Sequence, residues 1–214
     1  MSKKINISEV QHINFLNDIS LVSSVLNQEK KHKISETFWP NLAYKGTCDV
    51  SVLYTADMLA LRFEVQENDF LARYINPNEP VYEDSCVEFF LAFDDSGYYN
   101  FEFNSNGACL AQFGTSKYDR RFILAADLRK IKIQKSFRQN QNSELSYSWE
   151  LTIVLPLTVF THHQLKTLKG KCCKANFYKC GDDLKHPHFL CWNKVENHEP
   201  NFHLPAYFGE LIFE

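Results

Sequence analysis

Residues 80 to 107 read PVYEDSCVEFFLAFDDSGYYNFEFNSNG, and the fold class turns on the order of their aromatic and polar residues. From Ser85 to Phe93 the two kinds alternate. Val87, Phe89, Leu91 and Phe93 share one parity, and Cys86, Glu88, Phe90 and Ala92 share the other. A period of two is that of a β-strand, whose successive side chains point to opposite faces. The turn residues Asp94-Asp95-Ser96-Gly97 follow, after which Tyr99, Phe101 and Phe103 alternate with Asn100, Glu102 and Asn104. If the two strands pair antiparallel with their apolar parities in one core, Glu88 falls beside Glu102 or Asn104. The stretch therefore predicts a hairpin with one core face and one face that gathers Glu88, Asn100, Glu102 and Asn104.

The same alternation recurs on both sides of this hairpin. It marks strands at 49–54 (DVSVLY), 58–66 (MLALRFEVQ), 109–113 (CLAQF), 130–135 (KIKIQK), 146–155 (SYSWELTIVL), 174–180 (KANFYKC) and 207–213 (YFGELIF). Short strands separated by turn residues predict an all-β protein, an antiparallel β-sandwich of jelly-roll or immunoglobulin-like kind. Eighteen Phe and ten Tyr against two Met favour the same class, because aromatic rings suit a pleated, half-buried surface. Ahead of the strands, Val10, Ile13, Leu16, Ile19, Val22, Val25 and Leu26 recur every three or four residues, which predicts one or two short helices with Asp18 as an internal cap. Pro40 marks the change of pattern. The organisation read from these signals is a helical N-terminal extension over 1–35 and one sandwich over 36–214.

The 214 residues carry a formal charge of −3, from 23 basic and 26 acidic side chains interspersed along the chain. No strong positive field exists to attract a phosphate backbone, so nucleic acid is not an expected partner. The one basic-leaning stretch, Asp119 to Gln139, alternates charged and apolar residues as a half-exposed strand does. No run approaches the roughly 18 apolar residues of a membrane span, and the N-terminus shows no signal-peptide pattern. The expectation is a soluble, cytoplasmic monomer with no membrane partner.

Seven cysteines at irregular spacing, without a Cys-x-x-Cys pair, suggest neither a disulfide framework nor a structural zinc site. Cys172, Cys173, Cys180 and Cys191 lie near His186 and His188, so a metal cluster is one reading. Cys86, Cys173, Cys180 and Cys191 sit in strand-like segments, where a free thiol behaves as a small buried hydrophobe, and that is the reading adopted. No metal, cofactor or catalytic residue is expected from these signals.

The polar face of the hairpin suits three chemistries. Glu88 and Glu102 could act as acid and base on a glycosidic bond, which needs two carboxyls in divergent environments. A calcium site would want many oxygens, with Asp94 and Asp95 as loop candidates. A hydrogen-bonding platform for sugar hydroxyls, flanked by aromatic rings that stack on pyranose faces, needs neither. A solvated sheet face is the plain alternative to all three.

Several elements together resemble carbohydrate-binding module family 9 and the bacterial family-9-like β-sandwich proteins. They are PVYEDSCVEFFL at 80–91, YYNFEFNSNG at 98–107, WELTIVLP at 149–156, NFYKCGDDLKHPHFLCW at 176–192 and NFHLPAYFGELIFE at 201–214. The resemblance implies a sandwich that recognises mono- or oligosaccharide without cutting it, in a family whose members are often secreted or at the cell surface, with structural calcium as a possible family trait. It implies two aromatic residues gripping a terminal sugar, assisted by a glutamate. Tyr82 and Trp192 match the clamp positions and Glu88 the assisting carboxylate, with Asn100, Glu102 and Asn104 as further polar candidates; tyrosine stands where the family pattern has tryptophan. Of the remaining tryptophans, Trp149 is expected in the core and Trp39 as a lid on one end. The alternatives are a glycan-processing hydrolase using Glu88 and Glu102, and a protein-interaction sandwich that has lost sugar binding.

Overall fold

The structure is a computed structural model that describes residues 2–11, 18–39 and 43–214. Among the described residues two sheets face each other. The smaller contains, in spatial order, β2 (His32–Lys33), β3 (Gly46–Tyr54), β4 (Met58–Glu67), β10 (Tyr147–Pro156) and β9 (Lys132–Gln139). The larger runs β1 (Lys4–Ile7), β13 (Gly209–Phe213), β11 (Cys172–Cys180), β5 (Cys86–Asp94), β6 (Gly97–Asn104), β7 (Cys109–Gly114) and β8 (Arg121–Phe122), and β12 (Phe189–Cys191) adds to β11.

One parity of each sheet builds the core between them. Val87, Phe89, Leu91, Tyr99, Phe101 and Phe103 of the hairpin meet Val50, Leu61, Phe63, Trp149, Leu151 and Ile153 of the smaller sheet. Each of these side chains is buried, and at ~25 cal/mol per Å² of apolar surface removed from water this layer is the main stabilising term. Trp149 is in the core, as its alternation with Leu151 and Ile153 requires.

The N-terminal segment is tied into the sandwich. β1 pairs in parallel with β13, and Ile5 and Ile7 join the core, so the sheet is antiparallel except at this edge. Helix α1 (Ile19–Leu26) is capped by Asp18, whose carboxylate accepts from the backbone N–H of Ser20 at 2.9 Å and of Leu21 at 3.2 Å. Its Val22 and Leu26 pack on Leu53, Met58, Ala60 and Val154, which cover the outer face of the smaller sheet. Of the predicted helical positions, Ile13 and Leu16 lie outside the described residues, as does Pro40.

The outer face of the larger sheet is covered as well. Cys86, Phe90, Tyr98, Leu110, Tyr178 and Cys180 point away from the main core and are buried under Val81, Val195, Phe202 and Phe208 from the loops. Trp39 packs on this second cluster, its Nε1–H donating to the Asn197 carbonyl at 2.6 Å. The sheet face that alternation alone leaves to solvent is thus a floor beneath loops.

Candidate functional site

The hairpin register sets Glu88 directly opposite Glu102, Phe90 opposite Asn100 and Cys86 opposite Asn104. Glu88 and Glu102 are each 4 % exposed and lie on the floor of a cavity of about 550 Å³ between the sheet and its covering loops. Gln112 from β7 and Arg120, just before β8, line the same cavity, as do Asp182, Asn201 and His203 from the loops after β11 and β12. Its exposed aromatic residues are Tyr82, Tyr118 and Phe122.

Tyr82 is held by its neighbours on either side. Val81 plugs the second apolar cluster, and Asp84, fully buried, accepts from the Arg73 and Tyr74 backbone N–H groups at 2.7 and 3.0 Å and from Asn104 Nδ2 at 2.9 Å. The backbone N–H groups of Asp182 and Asp183 donate to the Tyr82 and Glu83 carbonyls, at 3.0 and 3.1 Å. With both flanks fixed, the short 3₁₀ turn Val81–Glu83 leaves the Tyr82 ring at the cavity with 37 % of its surface exposed.

Arg120 organises the far side of the floor. Its guanidinium donates to the Gly114, Tyr98 and Gln112 carbonyls at 2.9 to 3.2 Å and to Asn100 Oδ1, and it stacks over the Tyr98 ring at 4.2 Å. Asn100 in turn donates to Glu102 Oε1 at 2.8 Å. Asn100 and Asn104 are wholly buried and occupied in this way, so neither reaches the cavity: Asn100 orients Glu102, and Asn104 bridges Asp84 and the turn at Ala108.

The floor holds its acids reluctantly ionised. Burial, with Cys180 and Glu102 close by, pushes Glu88 well above the ordinary carboxylate range. Burial raises Glu102 to about 7 against the lowering effects of Asn100 and Arg120, and raises Asp182 to about 6. His203 is pulled down to about 3 by burial and by Arg120, and its Nδ1 is 3.0 Å from the Tyr98 hydroxyl.

Trp192 corrects the expected clamp. It is 3 % exposed, belongs to the core between the sheets, packs edge-on against Phe177 at 5.7 Å and does not line the cavity. The cause is local: its backbone N–H bonds to the Phe177 carbonyl, and its ring fills the space left by Gly209, where a Cβ would stand 2.4 Å from it. Of the predicted residues the cavity therefore brings together Tyr82, Glu88 and Glu102, and leaves out Trp192, Asn100 and Asn104. Reading by strand parity missed Tyr118 and Phe122. Their signal is one aromatic residue within the charged segment Lys117 to Arg121 and another directly after it, where a core role has little support.

Among the described residues, Asp84 and Asp94 do not build a calcium cage. A hard cation takes roughly six to eight oxygens, whereas Asp84 is saturated by its donors and Asp94 accepts from its own turn at Ser96. Among the described residues, the group of side chains close enough to hold a metal contains two thiols, Cys86 and Cys180, with Glu88.

Two packed sheets with an aromatic-rimmed polar cavity on the outer face of one define a ligand-binding β-sandwich. The chain belongs to carbohydrate-binding family 9, whose model matches residues 20–213. A crystal structure described as a candidate carbohydrate-binding protein from Bacteroides uniformis ATCC 8492 shares 34% identity over 100% of both chains, with a TM-score of 0.90. A family 9 module from Caldicellulosiruptor kristjanssonii in complex with glucose matches at 14% identity, 99% of this chain and 96% of that one, with a TM-score of 0.56. The module from the same organism in complex with cellotriose matches at 14% identity, over 99% of this chain and 94% of that one, at 0.58. At such identity the likeness to these two is one of fold. No curated protein matches the chain.

Proposed function

We propose that the protein binds a mono- or oligosaccharide in the cavity above β5 and β6, without cleaving it. The observation that carries this reading is the meeting of two buried acids, Glu88 and Glu102, with three exposed aromatic rings in one cavity. Its 550 Å³ lies within the roughly 300–1,000 Å³ usual for small-molecule sites. Tyr82, Tyr118 and Phe122 offer apolar faces to a pyranose ring, while Gln112, Asn201 and Arg120 with the two acids offer donors and acceptors to hydroxyls. The family membership supports the ligand class, and the glucose and cellotriose complexes of related modules supply the first sugars to test.

Hydrolysis by the Glu88–Glu102 pair has less support. Such chemistry needs one proton donor and one carboxylate held ionised. Burial pushes both of these groups the same way.

Calorimetry with glucose, cellotriose and a wider glycan panel tests the reading. Binding that weakens in Tyr82→Ala is expected. No heat with any sugar at millimolar concentration, or binding unchanged in both Tyr82→Ala and Tyr118→Ala, refutes it.

A further inference from the structure

We infer that Cys86, Glu88 and Cys180 form a site for one thiophilic divalent cation of the zinc class, set in the sheet at the base of the cavity. Cys86 opens β5 and Cys180 closes β11, and the register makes them direct cross-strand partners. Glu88 lies two residues along β5 from Cys86 and so shares its face. One donor atom from each of the three, two sulfurs and a carboxylate oxygen, lies within 4.8 Å of the others. Cys180 Sγ is 3.1 Å from Glu88 Oε1. Tetrahedral zinc, with Zn–S near 2.3 Å and Zn–O near 2.0–2.2 Å, holds such donors roughly 3.5–3.8 Å apart. The Cys180–Glu88 pair would open slightly from its 3.1 Å to take the ion.

A separate observation points to the same place. Glu102 is the cross-strand partner of Glu88, is 4 % exposed and lines the same cavity, yet its Oε2 is buried with no hydrogen-bond partner. A buried acceptor without a donor is costly. A cation held by Glu88 would leave one position open for a bound water, from which the unpartnered oxygen of Glu102 would accept. The donor types decide the class of ion: thiolates select zinc and its soft relatives over magnesium or calcium. Binding would displace the two thiol protons, and the proton that burial favours on Glu88, to solvent. This inference does not depend on the sugar reading: the two thiols lie outside the cavity lining, Glu88 is the ligand the two sites would share, and metal binding is read with no sugar present.

Cobalt(II) is the probe, added to the full chain after reduction of all thiols. One equivalent should bind and give sulfur-to-cobalt charge-transfer absorption with the strong visible bands of a tetrahedral site, and zinc should displace it. Cys86→Ser and Cys180→Ser should each remove the charge-transfer band. Cys172→Ser, at the exposed thiol, should keep it. A reduced wild-type chain without the band overturns the inference, as does a band that survives in both variants. Should the variants fail to fold, the wild type still decides: absence of the band refutes the site, and its presence with a zinc-dependent rise in melting temperature supports it.

Discussion

Lys179 Nζ lies 2.9 Å from Glu67 Oε2, and both side chains are fully buried between the sheets. Lys179 belongs to β11 of the larger sheet and Glu67 ends β4 of the smaller, so this ion pair joins the two layers. It is hydrogen-bonded all round: Trp149 Nε1 donates to Glu67 Oε1 at 2.7 Å, and Lys179 donates to the Cys180 carbonyl and to His188 Nε2 at 2.9 and 2.8 Å. Removing one partner of such a pair strands a charge. Lys179→Met should cost about 3–5 kcal/mol in denaturant unfolding, and adding Glu67→Gln should restore a large part of it. Losses that simply add in the double variant would refute this coupling.

His188 gives the fold an acid sensitivity. Its Nε2 accepts from the Lys179 ammonium, so its proton sits on Nδ1, 3.2 Å from the His186 carbonyl. Burial and Lys179 pull its pKa down to about 2, against about 6.5 in an unfolded chain. The unfolded state therefore takes up the proton first. Stability contributed by neutral His188 is present above pH 6.5 and is lost as pH falls toward 2, by roughly 1.4 kcal/mol per pH unit below 6. His203, lowered to about 3, works in the same sense, while Glu102, raised to about 7, and the raised Glu88 and Asp182 work in the opposite one, so the wild-type profile alone mixes them. The stability gap between wild type and His188→Gln should narrow from pH 6 to pH 5 in urea titrations. A constant gap would rule this out.

Tyr82 and Trp192 should separate cleanly. Tyr82→Ala removes an exposed ring and should change stability by no more than about 0.5 kcal/mol, while sugar affinity falls roughly five- to tenfold. Trp192→Ala opens a hole in the core and should cost about 3–5 kcal/mol, with the folded fraction still binding sugar. Calorimetry and chemical unfolding on both variants check the contrast, and loss of affinity in folded Trp192→Ala alone would reverse the assignment.

Gly209→Ala should destabilise by about 1–3 kcal/mol. The added Cβ meets both the Trp192 ring at 2.4 Å and the Lys3 carbonyl oxygen at 2.7 Å, one part of a packed core and the other backbone. Thermal unfolding with a melting point equal to the wild type would contradict it.

Strand parity read most of this fold because nearly every inward position is apolar. The 85–104 hairpin is the clearest case, down to the Glu88–Glu102 pairing. Elements whose local pattern is short or polar were illegible. β1 is four residues whose partner is more than 200 positions away, and β9 runs to Gln139 through residues whose polarity suggests a loop. It also begins later than the pattern at 130 implies, because the helical turn α2 (Ala125–Leu128) and the bend after it occupy the preceding residues. The site was partly legible for a related reason. Parity assigns a side chain to a face but is silent on what covers that face, so Asn100 and Asn104 looked like ligand contacts and are internal braces. Lys179, placed by parity among inward residues, is similarly explained only by Glu67 across the sandwich.

The larger sheet carries separate apolar clusters on its two faces, sharing strands β5, β6, β7 and β11. Odd-numbered positions of the hairpin face the joint between the sheets, and even-numbered positions face the cavity and its loops. The two sets of demands thus fall on interleaved residues of the same segment: the odd set holds the sheets together, and within the even set Cys86, Phe90, Tyr98, Asn100 and Asn104 hold the loops down while Glu88 and Glu102 face the cavity. Changes at Glu88 and Glu102, and in the loops around Tyr82, Tyr118 and Asn201, can alter what is recognised without renegotiating how the sheets stack. A fold wired this way offers a selecting environment, or a protein engineer, two nearly orthogonal dials on a single hairpin.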